Sequence, residues 1–291
     1  MKKRVLSAML VAAMAMTAMP SQTFAEGALD AAQQTGKLSY DGYKEVWSDE
    51  FDGDSLNRAD WNVETHEKGW VNNELQEYVD SAENIQVKDG KLIINPVKKV
   101  TDGDTGSTKE AASYTSGRVS TQNKQTFIYG RFECRAKVPK GQGYLPAFWL
   151  MANDENVYGQ WPRCGEIDCM EVMGQETNKA YGTIHYGNPH SQSQGTYIIT
   201  DGADFSDDFH IYTCDWEPGK ITWYVDGVKY HEESDWHSTT VGQGTLTYPA
   251  PFDQPFYIIL NLAVGGSWVG NPNDETSFEN NPYVIDYVRV Y

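Results

Sequence analysis

Short β-type runs separated by turn residues constrain the fold of this 291-residue chain most strongly. Segments such as "GKLIINPV", "IYGRFECRAKVP" and "AYGTIHYG" are rich in β-branched or aromatic residues and are bounded by Gly or Pro, which is typical of strands. The run "CDWEPGKITWYVDGVKY" predicts three strands joined by Pro-Gly and Asp-Gly turns, and "PFYIILNLAVGG" predicts a central strand covered on both faces. No long segment has a helical period. We therefore predict an all-β fold, a two-sheet antiparallel β-sandwich whose concave face offers a cleft for an extended ligand.

The first 25 residues have the layout of a secretory signal peptide. Three basic residues, Lys2, Lys3 and Arg4, precede an apolar run from Val5 to Met19, and the segment closes on Ala25. The alternative, a membrane anchor, needs roughly 18 apolar residues, and this run is shorter. We expect cleavage after Ala25 and a secreted, extracellular protein. Residues 26–43 are predicted to be a poorly ordered lead-in, and residues 44–291 a single β-sandwich domain.

The acidic charge of the chain restricts its partners. Its formal charge is −18, and removal of the three basic residues of the signal peptide changes it to −21. Such a chain repels phosphate backbones, so we expect no nucleic-acid partner, no membrane partner and a neutral ligand. The charge is equally consistent with a role in solubility alone. We expect the protein to be a monomer.

The aromatic residues and the cysteines separate into core and surface candidates. Trp, Tyr and Phe total 37 residues, more than a core usually requires, and surplus Trp and Tyr in an exported protein often form platforms for sugar rings. Most of them are expected in the core. The cysteines have no disulfide-framework spacing and no zinc-site spacing, so we predict buried free thiols. They are Cys134, Cys164, Cys169 and Cys214.

Three acids share the strand-like segment "CGEIDCMEVMG" with five apolar residues. Acids on an inner strand are costly unless they are paired or functional, and three within six residues are hard to explain by solubility. On a regular strand Glu166 and Asp168 would share a face, and Glu171 would point to the opposite face. A β-bulge at Cys169 or Met170 would return Glu171 to the face of the other two acids.

Several blocks of the chain resemble family 16 of the glycoside hydrolases. "GEIDCMEVMG" is similar to the E-I-D-x-x-E catalytic strand of that family, in the bulged form found in laminarinases. Further matching blocks in the same order are "GWVNNELQEY", "YTSGRVST", "YGRFECRAKVPKGQGYLPAFWL", "GTIHYG", "WYVDGVKY" and "ILNLAVGGSWVG". The resemblance implies a jelly-roll, concanavalin-like sandwich. It also implies an endo-acting, retaining hydrolase of β-1,3-linked glucan of the laminarin type, or of mixed β-1,3/1,4-glucan, that needs no catalytic cofactor.

The resemblance assigns roles to the three acids. Glu166 corresponds to the nucleophile that forms a covalent glycosyl-enzyme, and Glu171 to the general acid that later acts as base on water. Asp168 lies between them and is expected to hydrogen-bond Glu166. Neighbouring carboxylates of this kind separate their pKa values, so that one is charged while another is protonated.

The resemblance also places six further residues at the substrate cleft. They are Trp161, His185, Trp149, Asn73, Arg118 and Trp268. Trp161 matches a sugar-stacking tryptophan, and His185 matches a histidine beside the acid/base, although His185 is also consistent with an ordinary strand histidine. Trp149 is equally consistent with a core position. Asn73 and Arg118 are expected to bind sugar hydroxyls, but either could instead hold the fold. Trp268 is expected to line the rim of the cleft. The chain has Leu145 where Trp is common in the family and Val269 where Pro is usual, which leaves the subsite preferences open.

A structural calcium ion is a further expectation from the resemblance. The matching ligands are backbone carbonyls at Glu50 and Gly90 and the carboxylate of Asp286, and calcium prefers oxygen ligands of this kind. Asp286 is also consistent with a plain strand-end cap.

Two rival functions remain open at this point. A glucan-binding protein on the same fold would need no chemistry, but such relatives usually lack a catalytic glutamate, and both are present here. The chain could also hydrolyse or transglycosylate another neutral polysaccharide such as lichenan, xyloglucan or agarose.

Overall fold

A computed structural model describes residues 42–99, 113–240, 242 and 244–291 of the chain. The predicted signal peptide and residues 26–41 of the predicted lead-in lie outside the described residues. Within that part of the chain every regular element is a strand, which confirms the all-β prediction. A search of the described residues for a helix long and apolar enough to cross a membrane found none.

Two large antiparallel sheets account for fifteen of the strands. The eight-stranded sheet has the order β16-β15-β14-β9-β20-β5-β4, with β1 paired to β20. Its strands are β1 (Trp47–Asp49), β4 (Ile85–Val87), β5 (Leu92–Ile94), β9 (Gly130–Lys137), β14 (His210–Glu217), β15 (Lys220–Val225), β16 (Val228–Glu233) and β20 (Tyr283–Val290). The seven-stranded sheet has the order β13-β12-β11-β10-β19-β8-β2. Its strands are β2 (Asn62–Val63), β8 (Arg118–Ser120), β10 (Tyr144–Ala152), β11 (Glu166–Glu171), β12 (Lys179–Tyr186), β13 (Ser191–Ile198) and β19 (Phe256–Val264).

Five short strands complete the regular structure. A three-stranded sheet has the order β3-β7-β6, in which β3 and β7 run parallel, and β17 pairs with β18. These strands are β3 (Gln76–Tyr78), β6 (Val97–Lys99), β7 (Ser113–Ser116), β17 (Thr239–Thr240) and β18 (Gly244–Thr245).

The hydrophobic core lies between the two large sheets. Alternate residues of β9 in the eight-stranded sheet (Phe132, Cys134) and of β10 in the seven-stranded sheet (Phe148, Leu150) are fully buried and belong to one cluster. This period of two is the pattern of a strand with one face on a core. The predicted two-sheet sandwich of the jelly-roll kind is therefore confirmed.

The structure explains the apolar run of β19 and the glycines of the hairpin turns. Every residue of β19 is buried, so this central strand is covered on both faces of the seven-stranded sheet. The turns after β14 and β15 contain Gly219 and the pair Asp226-Gly227, all with positive φ, which is the backbone that tight hairpins require. All four cysteines are buried and free, as predicted.

Candidate active site

A β-bulge interrupts strand β11 at the position that the sequence predicts. Across β12, Asp168 pairs with Thr183 and Glu171 with Tyr181, so β11 carries one more residue than its neighbour. Across β10, Met170 pairs with Phe148 and Asp168 with Trp149, so Cys169 is the residue without a counterpart there. This two-against-one register is a β-bulge.

The bulge places two successive side chains in the core. Ile167, Cys169, Met170 and Val172 all belong to the buried cluster between the sheets. Because Cys169 and Met170 both point inward, the alternation resumes with Glu171 on the opposite face, where Glu166 already lies. Glu166 and Glu171 line the same cleft.

The cleft lies on the face of the seven-stranded sheet that is turned away from the core, and its volume is about 390 Å³. Side chains from β11, β12 and β13 form its floor, and the segment 265–269 forms one side. Its lining residues are Asn72, Glu74, Leu145, Trp161, Glu166, Glu171, His185, His190, Gln192, Gln194, Gly265, Gly266, Ser267, Trp268 and Val269. Both departures from the family pattern, Leu145 and Val269, are therefore cleft residues.

Two residues contact the carboxylate of Glu166. The indole Nε1 of Trp161 donates a 2.8 Å hydrogen bond to Glu166 Oε2. His185 faces Glu166 across the β11–β12 ladder, and its Nε2 lies 4.0 Å from Glu166 Oε1 and 3.3 Å from Asp168 Oδ2. Asp168 is 2% exposed. The 3.3 Å distance places its carboxylate beside His185. The hydrogen bond between Asp168 and Glu166 that the sequence analysis expects stays a prediction.

The surroundings of Glu166 and Glu171 give the two carboxyl groups different pKa values. Burial and then the charge of Asp168 raise the pKa of Glu166 to about 8, although His185, the Trp161 hydrogen bond and Arg118 oppose this rise. Burial raises the pKa of Glu171 well above its ordinary value, and Asp168, Glu166 and Glu74 raise it further, with no opposing group. Glu166 is therefore the glutamate that ionises first, and Glu171 holds its proton.

A second histidine, which the sequence analysis did not single out, contacts His185. His190 Nε2 lies 2.9 Å from His185 Nδ1, and the His190 ring lies 5.0 Å from the Trp161 ring. Burial lowers the pKa of His185, but the neighbouring carboxylates of Asp168 and Glu166 outweigh this effect, so the pKa is raised. The turn "GNPH" between β12 and β13 was the available signal, because a hairpin returns His190 towards His185.

The loop before β3 contributes different residues from the one predicted. Asn73 Nδ2 donates a hydrogen bond to Ser267 Oγ at 3.0 Å, whereas its neighbours Asn72 and Glu74 line the cleft. Glu74 is 8% exposed and accepts a hydrogen bond from Gln76 at 2.7 Å. Burial raises the pKa of Glu74. Glu74 is also a fourth acid near Glu171, because its charge contributes to the raised pKa of Glu171.

Arg118 and Trp149 form a layer beside the three acids rather than the lining of the cleft. The guanidinium of Arg118 lies over two indole rings, 4.8 Å from the centroid of Trp149 and 5.3 Å from that of Trp70. Arg118 also pairs with Glu64, and Trp149 Nε1 donates to Asn261 at 2.7 Å. Trp149 nevertheless stands opposite Asp168 in the β10–β11 ladder, so this layer supports the catalytic strand.

Trp161 and Trp268 are the two exposed indoles of the cleft. Trp161 is 45% and Trp268 is 44% exposed, and both line the cleft. Trp268 packs edge-on against Tyr181 of β12 at 5.4 Å. A half-exposed indole supplies a rigid apolar face with a polar edge, which suits stacking against a sugar ring.

The predicted calcium ligands lie in or next to strands of the eight-stranded sheet: Glu50 follows β1, Gly90 lies between β4 and β5, and Asp286 belongs to β20. The carboxylate of Asp286 pairs with Arg135 through Oδ2 at 2.8 Å and with Lys91 through Oδ1 at 3.7 Å. The carboxylate of Glu50 binds Arg289, which leaves the backbone carbonyl of Glu50 as its possible contribution. Gly90 has a φ of +68° and lies beside the carboxylate of Asp52. Carbonyl and carboxylate oxygens are the donors that calcium prefers, but Asp286 already faces two cationic side chains, so calcium binding stays a prediction.

Comparisons with known proteins agree with this geometry. The family model described as glycosyl hydrolases family 16 matches residues 72–289. Glucan endo-1,3-beta-glucosidase A1 of Niallia circulans is 40% identical over 84% of this chain, and the match spans 37% of that relative's length. Glucan endo-1,3-beta-glucosidase of Cryptopygus antarcticus is also 40% identical, over 84% of this chain and 90% of that protein.

A solved structure shows the same fold with sugar bound. It is SCLam, described as a non-specific endo-beta-1,3(4)-glucanase, with 1,3-beta-D-cellobiosyl-glucose at its active site. It is 32% identical to this chain and superposes with a TM-score of 0.72 over 88% of this chain and 96% of that one. The bulged acid strand, the cleft above it and these matches lead to one conclusion: the chain belongs to glycosyl hydrolase family 16 and is a glycosidase.

Proposed function

We propose that this glycosidase is a secreted, endo-acting β-1,3-glucanase that cleaves laminarin-type glucan with retention of anomeric configuration. One observation carries the proposal: the bulge in β11 places Glu171 on the face of Glu166, above the same cleft. A retaining glycosidase needs a nucleophile and an acid/base on either side of the scissile bond, about 5–5.5 Å apart. The names of the relatives described above support β-1,3-glucan as the substrate.

In the first step of the proposed reaction, an ionised oxygen of Glu166 attacks the anomeric carbon. A glycosyl ester forms, the glycosidic bond breaks, and Glu171 gives its proton to the departing oxygen. In the second step, Glu171 takes a proton from water, the water oxygen attacks the anomeric carbon, and the ester bond to Glu166 breaks. Both pKa values are raised, but that of Glu166 is opposed by His185, Trp161 and Arg118, so Glu166 is the glutamate that ionises more readily and Glu171 the one that keeps its proton.

Asp168 and His185 act on this pair through charge. Asp168 raises the pKa of both glutamates, so it favours the protonated form of Glu171. His185, whose pKa is raised beside Asp168, partly offsets that effect at Glu166. The two residues together therefore keep Glu166 the more acidic glutamate of the pair.

The cleft suits a neutral sugar chain. Trp161 and Trp268 offer stacking faces, and Gln192 and Gln194 add amide groups that can hydrogen-bond hydroxyls. Leu145 and Val269 replace larger or stiffer residues of the family pattern in the lining. The sugar bound in SCLam supports mixed β-1,3/1,4-glucan as a second substrate. A protein that only binds glucan would not need two glutamates whose pKa values differ.

Azide tests the roles of the two glutamates. With an activated aryl β-glucoside, Glu171→Ala should complete the first step and stall at the second, because no base activates water. Azide needs no base, so it should restore turnover and give a β-glycosyl azide. Glu166→Ala should instead give the α-azide, because azide enters from the vacated face. The reverse pairing of products would contradict the assignment.

A panel of polysaccharides tests the substrate. Laminarin should release reducing sugar fastest, lichenan more slowly, and agarose and xyloglucan little or none. Binding of laminarin without release of sugar would favour the glucan-binding alternative.

Export, domain extent and a monomeric state are part of the same proposal. We propose that residues 1–25 are removed after Ala25 and that residues 44–291 form the single catalytic domain. The amino-terminal residue of the protein recovered from the medium tests the first point. Limited proteolysis tests the second, because the core should resist cleavage from residue 44 onward, and sedimentation velocity tests the third.

We propose a structural calcium ion because its three expected ligands are oxygen atoms, the donors that calcium prefers. The ion would take the carbonyl oxygens of Glu50 and Gly90 and Oδ1 of Asp286, from which Lys91 would have to move. An ion bound only to the folded chain raises its melting temperature by mass action. Chelation should therefore lower the melting temperature of the wild type but not that of Asp286→Asn. No shift of the wild type would exclude the site.

A further inference from the structure

The carbonyl group at the start of the bulge binds the opposite sheet. A bulge disrupts the hydrogen-bond ladder of its strand, and a buried carbonyl there needs a partner. The backbone oxygen of Asp168 accepts a 2.8 Å hydrogen bond from Nε1 of Trp223. Trp223 belongs to β15 of the eight-stranded sheet and is fully buried. This contact therefore crosses the core and ends at the catalytic strand.

A pair of glycines makes room for the indole. Gly182 of β12 lies between Tyr181 and Thr183, the partners of Glu171 and Asp168, so it faces the bulge. A Cβ atom on Gly182 would lie 2.4 Å from Cδ1 of Trp223, which is closer than real contacts allow. Gly182 pairs with Gly195 of β13, and a Cβ atom on Gly195 would lie 2.3 Å from His231.

The rings of Trp223 and His231, together with the hydroxyl of Tyr230, fill the space that these glycines leave. Trp223 stacks on His231 with a centroid distance of 4.8 Å and an interplanar angle of 24°. The two residues are also cross-strand partners between β15 and β16. The indole is thus fixed by its strand, by a stacked ring and by the slot over Gly182, and its N–H points at the bulge.

We propose that Trp223 is a positioning residue that holds the bulge in register and so keeps Glu171 beside Glu166. A shift of the bulge along β11 would turn side chains to the other face, and Glu171 is the acid that follows the bulge. Trp223 acts through the strand and does not touch the cleft. The inference rests on the proposed function, in which Glu171 is the general acid.

The matched variants are Trp223→Phe and Trp61→Phe. Both tryptophans are fully buried, and each donates a 2.8 Å hydrogen bond, Trp61 to Asp49 Oδ2. Trp61 precedes β2, which lies four strands away from β11 in the sheet order. Both variants lose a buried indole, so a general loss of packing should affect them alike.

Two substrates separate positioning from stability. Cleavage of an unactivated laminari-oligosaccharide needs the proton of Glu171, whereas a dinitrophenyl β-laminaribioside leaves without it. For Trp223→Phe we expect kcat/KM on the oligosaccharide to fall by about tenfold or more, as for a weakened general acid. On the aryl substrate kcat/KM should stay within about twofold of wild type, and Trp61→Phe should change both substrates equally.

Two further variants keep the test decisive if Trp223→Phe fails to fold. Trp223→benzothienylalanine keeps the shape of the ring and removes only the donor. Gly182→Ala keeps the donor and displaces the ring. Each should reproduce the selective loss on the oligosaccharide. An equal loss on both substrates, or behaviour like Trp61→Phe, would overturn the inference. A wild type that cleaves neither substrate would instead refute the proposed function.

Discussion

The hydrogen bond from Trp161 to Glu166 gives a pH-dependent prediction. Burial raises the pKa of Glu166, and the indole N–H opposes this rise because it stabilises the ionised carboxylate. Trp161→Phe keeps an aromatic face and removes this donor, so the pKa of Glu166 should rise. Because a nucleophile must be ionised, the acid limb of the kcat/KM profile should move to higher pH.

The structure sets the size of this shift. A hydrogen bond to a charged group contributes about 1.5–3 kcal/mol when buried. Trp161 is 45% exposed, so water replaces part of the lost bond, and about 1 kcal/mol is the appropriate scale. At 1.36 kcal/mol per pKa unit, this corresponds to a shift of about 0.7 units.

The assay is kcat/KM on laminari-oligosaccharides between pH 3 and 9. Trp268→Phe is the matched control, because Trp268 is 44% exposed in the same cleft and packs on Tyr181 instead of a catalytic acid. Both variants should weaken binding, but only Trp161→Phe should shift the acid limb. Superimposable acid limbs for the two variants would refute the reasoning.

Three further predictions concern His190, Asp204 and the thiols. His190→Phe should lower kcat about threefold by removing the partner of His185 Nδ1, and His190→Gln should restore it; equal kcat values in both variants would contradict this role. Burial raises the pKa of Asp204, but hydrogen bonds from Lys140 and Ser206 outweigh this and lower it to about 2. The stabilisation, about 1–2 kcal/mol, is present above pH 4 and lost as the pH falls to 2, so the melting temperatures of wild type and Asp204→Asn should converge over that range. Denatured, unreduced protein should release four reactive thiols, and two would indicate a disulfide.

Local patterns predicted the fold well because the period of two and the turn chemistry act within a few residues. The run from Cys214 to Tyr230 forms the three strands that its Pro-Gly and Asp-Gly turns indicate. The spacing of Glu166, Asp168 and Glu171 along the strand was sufficient to predict the bulge. A regular strand would turn Glu171 into the core, and a buried face leaves few alternatives for acids.

Contacts between distant segments could not be predicted in the same way. Trp223 lies 55 positions from Asp168, and its apolar neighbours indicate only a core strand. Likewise, the block "VNNELQEY" marks a cleft segment, but which of its side chains turns inward depends on backbone geometry. Asn72 and Asn73 both have positive φ, and this geometry places Asn72 and Glu74, not Asn73, in the lining.

The anomeric configuration of the first product tests the central claim most directly. If the bulge brings Glu171 to the face of Glu166, hydrolysis proceeds by two displacements and the configuration is retained. Proton NMR during the first minutes of laminari-oligosaccharide hydrolysis should show the β-anomer of the new reducing end, followed by slow mutarotation. Initial appearance of the α-anomer would mean that the two glutamates stand apart with a water between them, and the account of the site would be wrong.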